Sequence, residues 1–186
     1  VLTVPLALTV RRDLPEVHLR VVEGLSGHML EWVLNGEVDL ALVFGAADMR
    51  GLTVEQVARA RLHLVGPRGG LPRTGGEAIP FFRVANLPLI LPGRPHGVRE
   101  EAERTALAER LALNVVLEID ALDQIKALVA EGAGFTVLSE RVATSGEVAA
   151  HLESLPIAEP AIERAIYLAH ASDRPLSAAT RAVRRL

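Results

Sequence analysis

The feature that most constrains this chain is an alternation of short apolar runs with longer stretches of helical periodicity. Residues 39–44 (Asp39-Leu40-Ala41-Leu42-Val43-Phe44), 89–91, 115–119 and 135–138 are runs of strand length with little polar interruption. A run of this kind suits a parallel strand covered on both faces. Helical patterns stand between them. Residues 98–111 are charged and amphipathic, residues 122–131 are stopped by Gly132, and residues 140–151 form a further short helix. Earlier in the chain, residues 1–12 read as a helix with Leu2, Leu6 and Val10 on one stripe. Residues 18–23 alternate as a strand, and Ser26 caps a helix through Leu34 that Asn35-Gly36 stops. Residues 52–58 and 61–66 read as two strands, 81–87 as a short helix, 162–169 as a strand and 177–186 as a closing helix. Strand and helix in repeated succession predict an α/β fold with mainly parallel sheets. The Gly- and Pro-rich stretch 67–76 separates two such runs.

Composition narrows the function. With 186 residues, 49% of them hydrophobic, the chain can bury a real core. Basic and acidic residues number 20 and 23, so it carries no broad nucleic-acid footprint of its own. The absence of cysteine excludes disulfides, thiol catalysis and thiolate metal sites. No apolar run reaches the length of a membrane span. Neither a dinucleotide-binding glycine fingerprint, a P-loop nor a nucleophile elbow is present. The six histidines lie far apart and form no local ligand pair. No catalytic residue, metal site or cofactor is therefore assigned, and the chain is not read as an enzyme.

Two loops carry chemistry instead. Pro92-Gly93-Arg94-Pro95-His96-Gly97 runs from a strand into a helix, where free N–H groups suit an anion. Arg94 and His96 add donors that match a carboxylate. Such residues equally well form a solvated turn. Gly132-Ala133-Gly134-Phe135-Thr136 combines a helix stop with a glycine that permits close backbone approach. Phe44-Gly45 stands at the carboxyl end of a strand, the end at which open α/β sheets bind ligands. Trp32, spaced helically from His28 and Met29, reads as packing.

Taken in order, several stretches resemble the effector-binding domain of LysR-type transcriptional regulators. They are Leu14-Pro15-Glu16-Val17-His18-Leu19-Arg20-Val21-Val22-Glu23-Gly24, Leu34-Asn35-Gly36-Glu37-Val38-Asp39-Leu40-Ala41-Leu42 and Leu87-Pro88-Leu89-Ile90-Leu91-Pro92, followed by Ile125-Lys126-Ala127-Leu128-Val129-Ala130-Glu131-Gly132-Ala133-Gly134-Phe135-Thr136-Val137-Leu138. The loop Arg94-Pro95-His96-Gly97 looks most like the subgroup of nitrogen-assimilation regulators.

The resemblance implies two Rossmann-like lobes joined by two crossover strands, similar to periplasmic binding proteins. Residues 1–66 and 160–186 would form lobe I and residues 67–159 lobe II. A small effector, a carboxylate or other anion, would lie in the cleft between them. Gly93, Arg94 and His96 would face it from one lobe, Phe44 and Gly45 from the other. Asp120 falls where some members place a ligand-contacting Thr, and Thr136 is a further candidate. An acid at Asp120 would repel a carboxylate unless Arg94 or His96 neutralised it.

In the family a winged helix-turn-helix for DNA precedes this domain. By the resemblance it would lie before Val1, together with the first strand and its Ser/Thr turn. The domain would assemble as a homodimer or homotetramer, pairing the helix at 2–12 with that at 98–111 of a second copy. It would reside in the cytoplasm, off the membrane. A solute-binding protein of periplasmic type and a regulator without an effector are the alternatives; a deaminase on the same fold would need a paired acid–base constellation that the sequence lacks.

Overall fold

The computed structural model describes the chain apart from Val1, Leu25, residues 45–49, Thr74 and Pro95, and apart from the side chains of residues 26 and 27. It divides into two compact units. Unit 1 holds residues 1–58 and 165–186, and unit 2 holds Arg59–Arg164.

In unit 1, helix α1 covers Thr3–Asp13 and helix α2 covers Ser26–Asn35. Strand β1, Ala41–Phe44, pairs antiparallel with the returning strand β8, Glu163–Ala171, setting Ala41 opposite Ala169 and Phe44 opposite Ile166. Helix α7, Ala178–Arg184, closes the unit, and its N-cap Ser177 accepts from the Thr180 N–H at 3.0 Å. Leu30 and Val33 of α2 pack on Val43, Ala169 and Ala171. Arg174 donates to the Val33 and Leu34 carbonyls, satisfying the free end of α2. Trp32 lies over Gly24, whose missing side chain leaves room for the indole, as a packing residue would.

Unit 2 is a sheet with helices on both faces. Its strands are β2 (Leu52–Pro67, which enters from unit 1), β3 (Ile79–Pro80), β4 (Leu89–Leu91), β5 (Val115–Glu118), β6 (Thr136–Ser139) and β7 (Leu152–Ala158). The helices are α3 (Phe81–Ala85), α4 (Gly97–Ala108), α5 (Leu122–Ala130) and the single turn α6 (Glu140–Ala143). β2 runs antiparallel to β6 and β7, whereas β3 is parallel to β7 and β4 to β5. Phe135 joins β6 to β4 through a parallel bridge to Leu89. Gly134 allows this approach, because a Cβ there would sit 2.7 Å from the Pro88 carbonyl oxygen.

Side-chain alternation sorts residues between the two cores. Leu62, Leu64, Leu89, Leu91 and Val137 meet Phe81 and Val84 of α3 and Val98 and Ala106 of α4. Val65, Ile90 and Leu138 meet Ile125 and Val129 of α5 and Ala143 of α6. Lys126 is buried against this second layer, its Nζ donating to the Ser145 carbonyl at 2.8 Å and pairing with Asp123 at 3.2 Å.

Several elements differ from the expectations. Residues 18–23 lie in no ladder among the described residues, and their exposure does not alternate throughout, since Arg20 and Val21 are both exposed: a pattern in the sequence does not supply the neighbour a strand needs. The two strands expected at 52–58 and 61–66 are one strand of 16 residues; no breaker stands between them. The 39–44 run is antiparallel rather than parallel. Residues 140–151 are one helical turn, a turn and a short 3₁₀ segment, Ala149–His151, in place of one helix. Strands β3 and β7 were not expected, because each contains a proline, Pro80 and Pro156, that argues against a strand.

Candidate effector site

The parallel strands β4 and β5 and the adjoining β6 end on one side of unit 2, and the segments that follow them meet there. Pro92 and Gly93 follow β4, Ile119 and Asp120 follow β5, and Leu138 stands one residue before the end of β6. Together with His96, Val98, Leu122 and Ile125 of the neighbouring helices, Pro92, Asp120 and Leu138 line a cavity of about 30 Å³. This is the end of an α/β sheet at which ligands bind. Its walls are apolar, and its polar groups are His96 and Asp120.

His96 is the N-cap of α4. Its Nδ1 accepts from the Val98 N–H at 3.3 Å. That bond requires Nδ1 to be unprotonated, so the neutral ring carries its proton on Nε2. Burial holds the imidazole below its ordinary range; Arg164 acts in the same sense, and Asp120 and Glu100 oppose it. Asp120 is exposed, and its Oδ1 accepts from the Gly93 N–H at 2.9 Å. The carboxylate thereby joins the ends of β4 and β5. A side chain at Gly93 would crowd it, since a Cβ would lie 3.2 Å from Oδ1.

Arg94 turns away from this corner. Its guanidinium pairs with Glu103 at 2.7 Å on the outer face of α4. That contact raises the Arg94 pKa and lowers that of Glu103. Glu103 also holds the buried Arg99, at 2.5 Å, and Arg99 reaches Glu118 at 3.0 Å. Arg94, Glu103 and Glu118 belong to a separate open groove of about 710 Å³ that runs along α4 past Leu107 to Val115 on the β5 edge.

Of the residues singled out in the sequence, the structure thus brings Gly93, His96 and Asp120 together and takes Arg94 elsewhere. Thr136 is fully enclosed on β6, opposite Val65, with no hydrogen-bond partner for its hydroxyl among the described residues. Phe44 ends β1 in unit 1 with a partly exposed ring, and Gly45 lies outside the described residues.

One charged residue was missed. Arg164, near the start of β8, acts on His96 through space, and burial pushes its own pKa down to about 10 while Glu101 and Glu100 oppose that fall. The sequence did hold a signal. Arg164 shares the period-two register of Ile162 and Ile166, a charge on an otherwise apolar strand face. His63 on β2 is similar: it is buried, its Nδ1 has no partner among the described residues, and burial lowers its pKa.

Known proteins are similar to this chain in sequence and in fold. The family profile described as the LysR substrate binding domain matches residues 1–186. The nitrogen assimilation regulatory protein nac of Klebsiella aerogenes is 28% identical over 185 residues, which is 100% of this chain and 59% of that protein. The HTH-type transcriptional regulator BbuR of Bordetella bronchiseptica is 32% identical over 133 residues, 70% of this chain and 40% of that protein. The chain therefore spans little more than half the length of such relatives at most.

Among solved structures, the regulatory domain of Synechocystis PCC6803 CcmR in complex with 2-PG superposes with a TM-score of 0.87 at 22% identity, over 99% of this chain and 88% of that one. The effector-binding domain of QuiR in complex with shikimate gives 0.82 at 18%, over 98% and 87%. Among the described residues, no helix is long and apolar enough to cross a membrane.

Proposed function

The chain belongs to the LysR substrate-binding domain family, which its sequence matches over residues 1–186, and on that premise we propose that it is the effector-sensing and oligomerising part of a bacterial transcriptional regulator. Its fold is the two-lobe, periplasmic-binding-protein-like α/β fold of the effector-binding domains it superposes on. We take units 1 and 2 as the two lobes.

The observation that carries the reading is the convergence of strand ends on the cavity lined by His96 and Asp120. The relatives of known fold carry small molecules, 2-PG in CcmR and shikimate in QuiR. A small polar metabolite is the corresponding effector here. His96 Nε2–H and the Asp120 carboxylate would orient it. Effector binding works by population shift: a ligand that favours one arrangement of the domain biases the regulator as a whole. The near-balanced charge of these residues assigns DNA contact to other parts of such a regulator.

Self-association belongs to the same reading. Val4 and Leu8 of α1 are 67% and 65% exposed, and Leu107 of α4 is 80% exposed. These apolar faces would pair between two copies in a homodimer or a larger assembly in the cytoplasm.

Thermal unfolding against a panel of small metabolites tests the sensing role. A ligand at 100 times its dissociation constant adds about 2.7 kcal/mol, which for a chain of this size raises the midpoint by roughly 5–10 °C. The gain should vanish in His96→Ala. A panel without a single stabilising compound, or a gain untouched in His96→Ala, would overturn the assignment.

A further inference from the structure

We propose that Asp120 makes the strand-end cavity reject anions and select effectors that present a hydrogen-bond donor, an ammonium or a hydroxyl, to its free carboxylate oxygen. This rests on the effector-site reading above and sharpens the chemistry of that site.

Three placements carry it. First, the backbone donor that would hold an anion at the end of β4 is already taken, because Gly93 N–H donates to Asp120 Oδ1 at 2.9 Å. The protein's own carboxylate occupies the position an anionic ligand would need. Second, Asp120 lines the cavity beside His96 and apolar side chains. Oδ1 is engaged, which leaves Oδ2 to accept from a ligand. His96 keeps Nδ1 on Val98 N–H, so the ring is neutral and offers only its Nε2–H. Third, the loop's own cation does not compensate the carboxylate. Arg94 is committed to Glu103 and lines the other groove. Arg99 is divided between Glu103, Glu118 and the Pro92 carbonyl. Arg164, whose charge acts on His96, is itself under the influence of Glu101 and Glu100. A second carboxylate brought against Asp120 meets uncompensated repulsion; a donor meets an acceptor that is already oriented.

The test needs no knowledge of the natural effector. Amide spectra of the ¹⁵N-labelled chain are recorded during titration with acetate, with methylammonium and with ethylene glycol, for the wild type and for Asp120→Asn. Asparagine keeps the shape and an acceptor for Gly93 N–H but removes the charge and adds a donor. In the wild type, methylammonium or ethylene glycol should move the Gly93 and Asp120 amides saturably, and acetate should not; which of the two donors moves them separates ammonium from hydroxyl. In Asp120→Asn acetate should bind at the same amides at least about tenfold more tightly than in the wild type, as expected when a like charge is removed at close range. Asp120→Ala, which also frees Gly93 N–H, should gain acetate affinity too. Spectra unchanged away from the loop establish that the variants are folded.

Equal acetate response in wild type and both variants, or no movement of these amides with either donor in the wild type, overturns the proposal. Failure of the effector reading looks different: donor selectivity at Asp120 would persist while no metabolite stabilised the chain.

Discussion

His96 concentrates two demands on one side chain. As the N-cap of α4 it must keep Nδ1 unprotonated to accept Val98 N–H. As a wall of the cavity it presents Nε2–H. Burial, its largest perturbation, lowers the imidazole pKa from 6.5. Folding therefore favours the neutral ring. A histidine depressed on folding contributes its stability above its unfolded value and loses it as pH falls through the folded value. His63 is shifted in the same direction. The unfolding midpoint should thus drop on acidification below about pH 6.5. His96→Asn retains a capping side chain without titrating and should flatten that dependence, leaving the share due to His63. His96→Ala should lower stability at pH 7.5 by about 1 kcal/mol. Midpoints measured from pH 5 to 8 on all three chains check both statements, and identical pH slopes in wild type and His96→Asn would contradict the cap. At this scale the sequence singled out Gly93, His96 and Asp120 as candidates to face an effector, and the structure sets them beside one another at the ends of β4 and β5. Nothing in the loop revealed that the Arg94 guanidinium would pair with Glu103, nine positions on.

At the scale of elements, β4 shows how the cavity is held in place. Leu89, Ile90 and Leu91 are all fully buried. Leu89 and Leu91 face α3 and α4, and Ile90 faces α5. Ile90→Ala should cost about 2–5 kcal/mol by leaving a void under Ile125 and Val129. Leu107→Ala, on the exposed side of α4, should stay within about 0.5 kcal/mol in the monomer. Denaturant midpoints of the two variants decide this. The same strand explains why the centre of the fold was legible: an uninterrupted apolar run has one low-energy fate, a strand covered on both sides. Elsewhere periodicity was insufficient. The β2 strand continues through Arg59 and Ala60, where its exposure pattern changes but its backbone does not. β7 is a strand despite Pro156, which faces His63 in the ladder with β2; the local rule against proline yields to the neighbours on either side. The polarity of β1 followed from β8, over a hundred residues later, and no local signal could supply it.

For the whole molecule, α1 and the α4–β5 face are two of the places where large apolar side chains are exposed among the described residues. Val116 and Leu117 on the β5 edge are 47% and 43% exposed, adding to Val4, Leu8 and Leu107. If these faces join copies, Leu8→Arg and Leu117→Arg should each shift the chain toward monomer in light scattering at micromolar concentration while leaving its circular dichroism unchanged. An unaltered mass in both variants would exclude those faces. The central claim, that the strand ends of unit 2 receive a small effector, has a more direct test. Backbone amide spectra of the chain should be recorded with pooled small metabolites and the shifts mapped. We expect at least one pool to move Gly93, Asp120 and Leu138 together, with Leu107 and Val115 of the outer groove unmoved. Shifts confined to that groove, or none with any pool, would contradict the account.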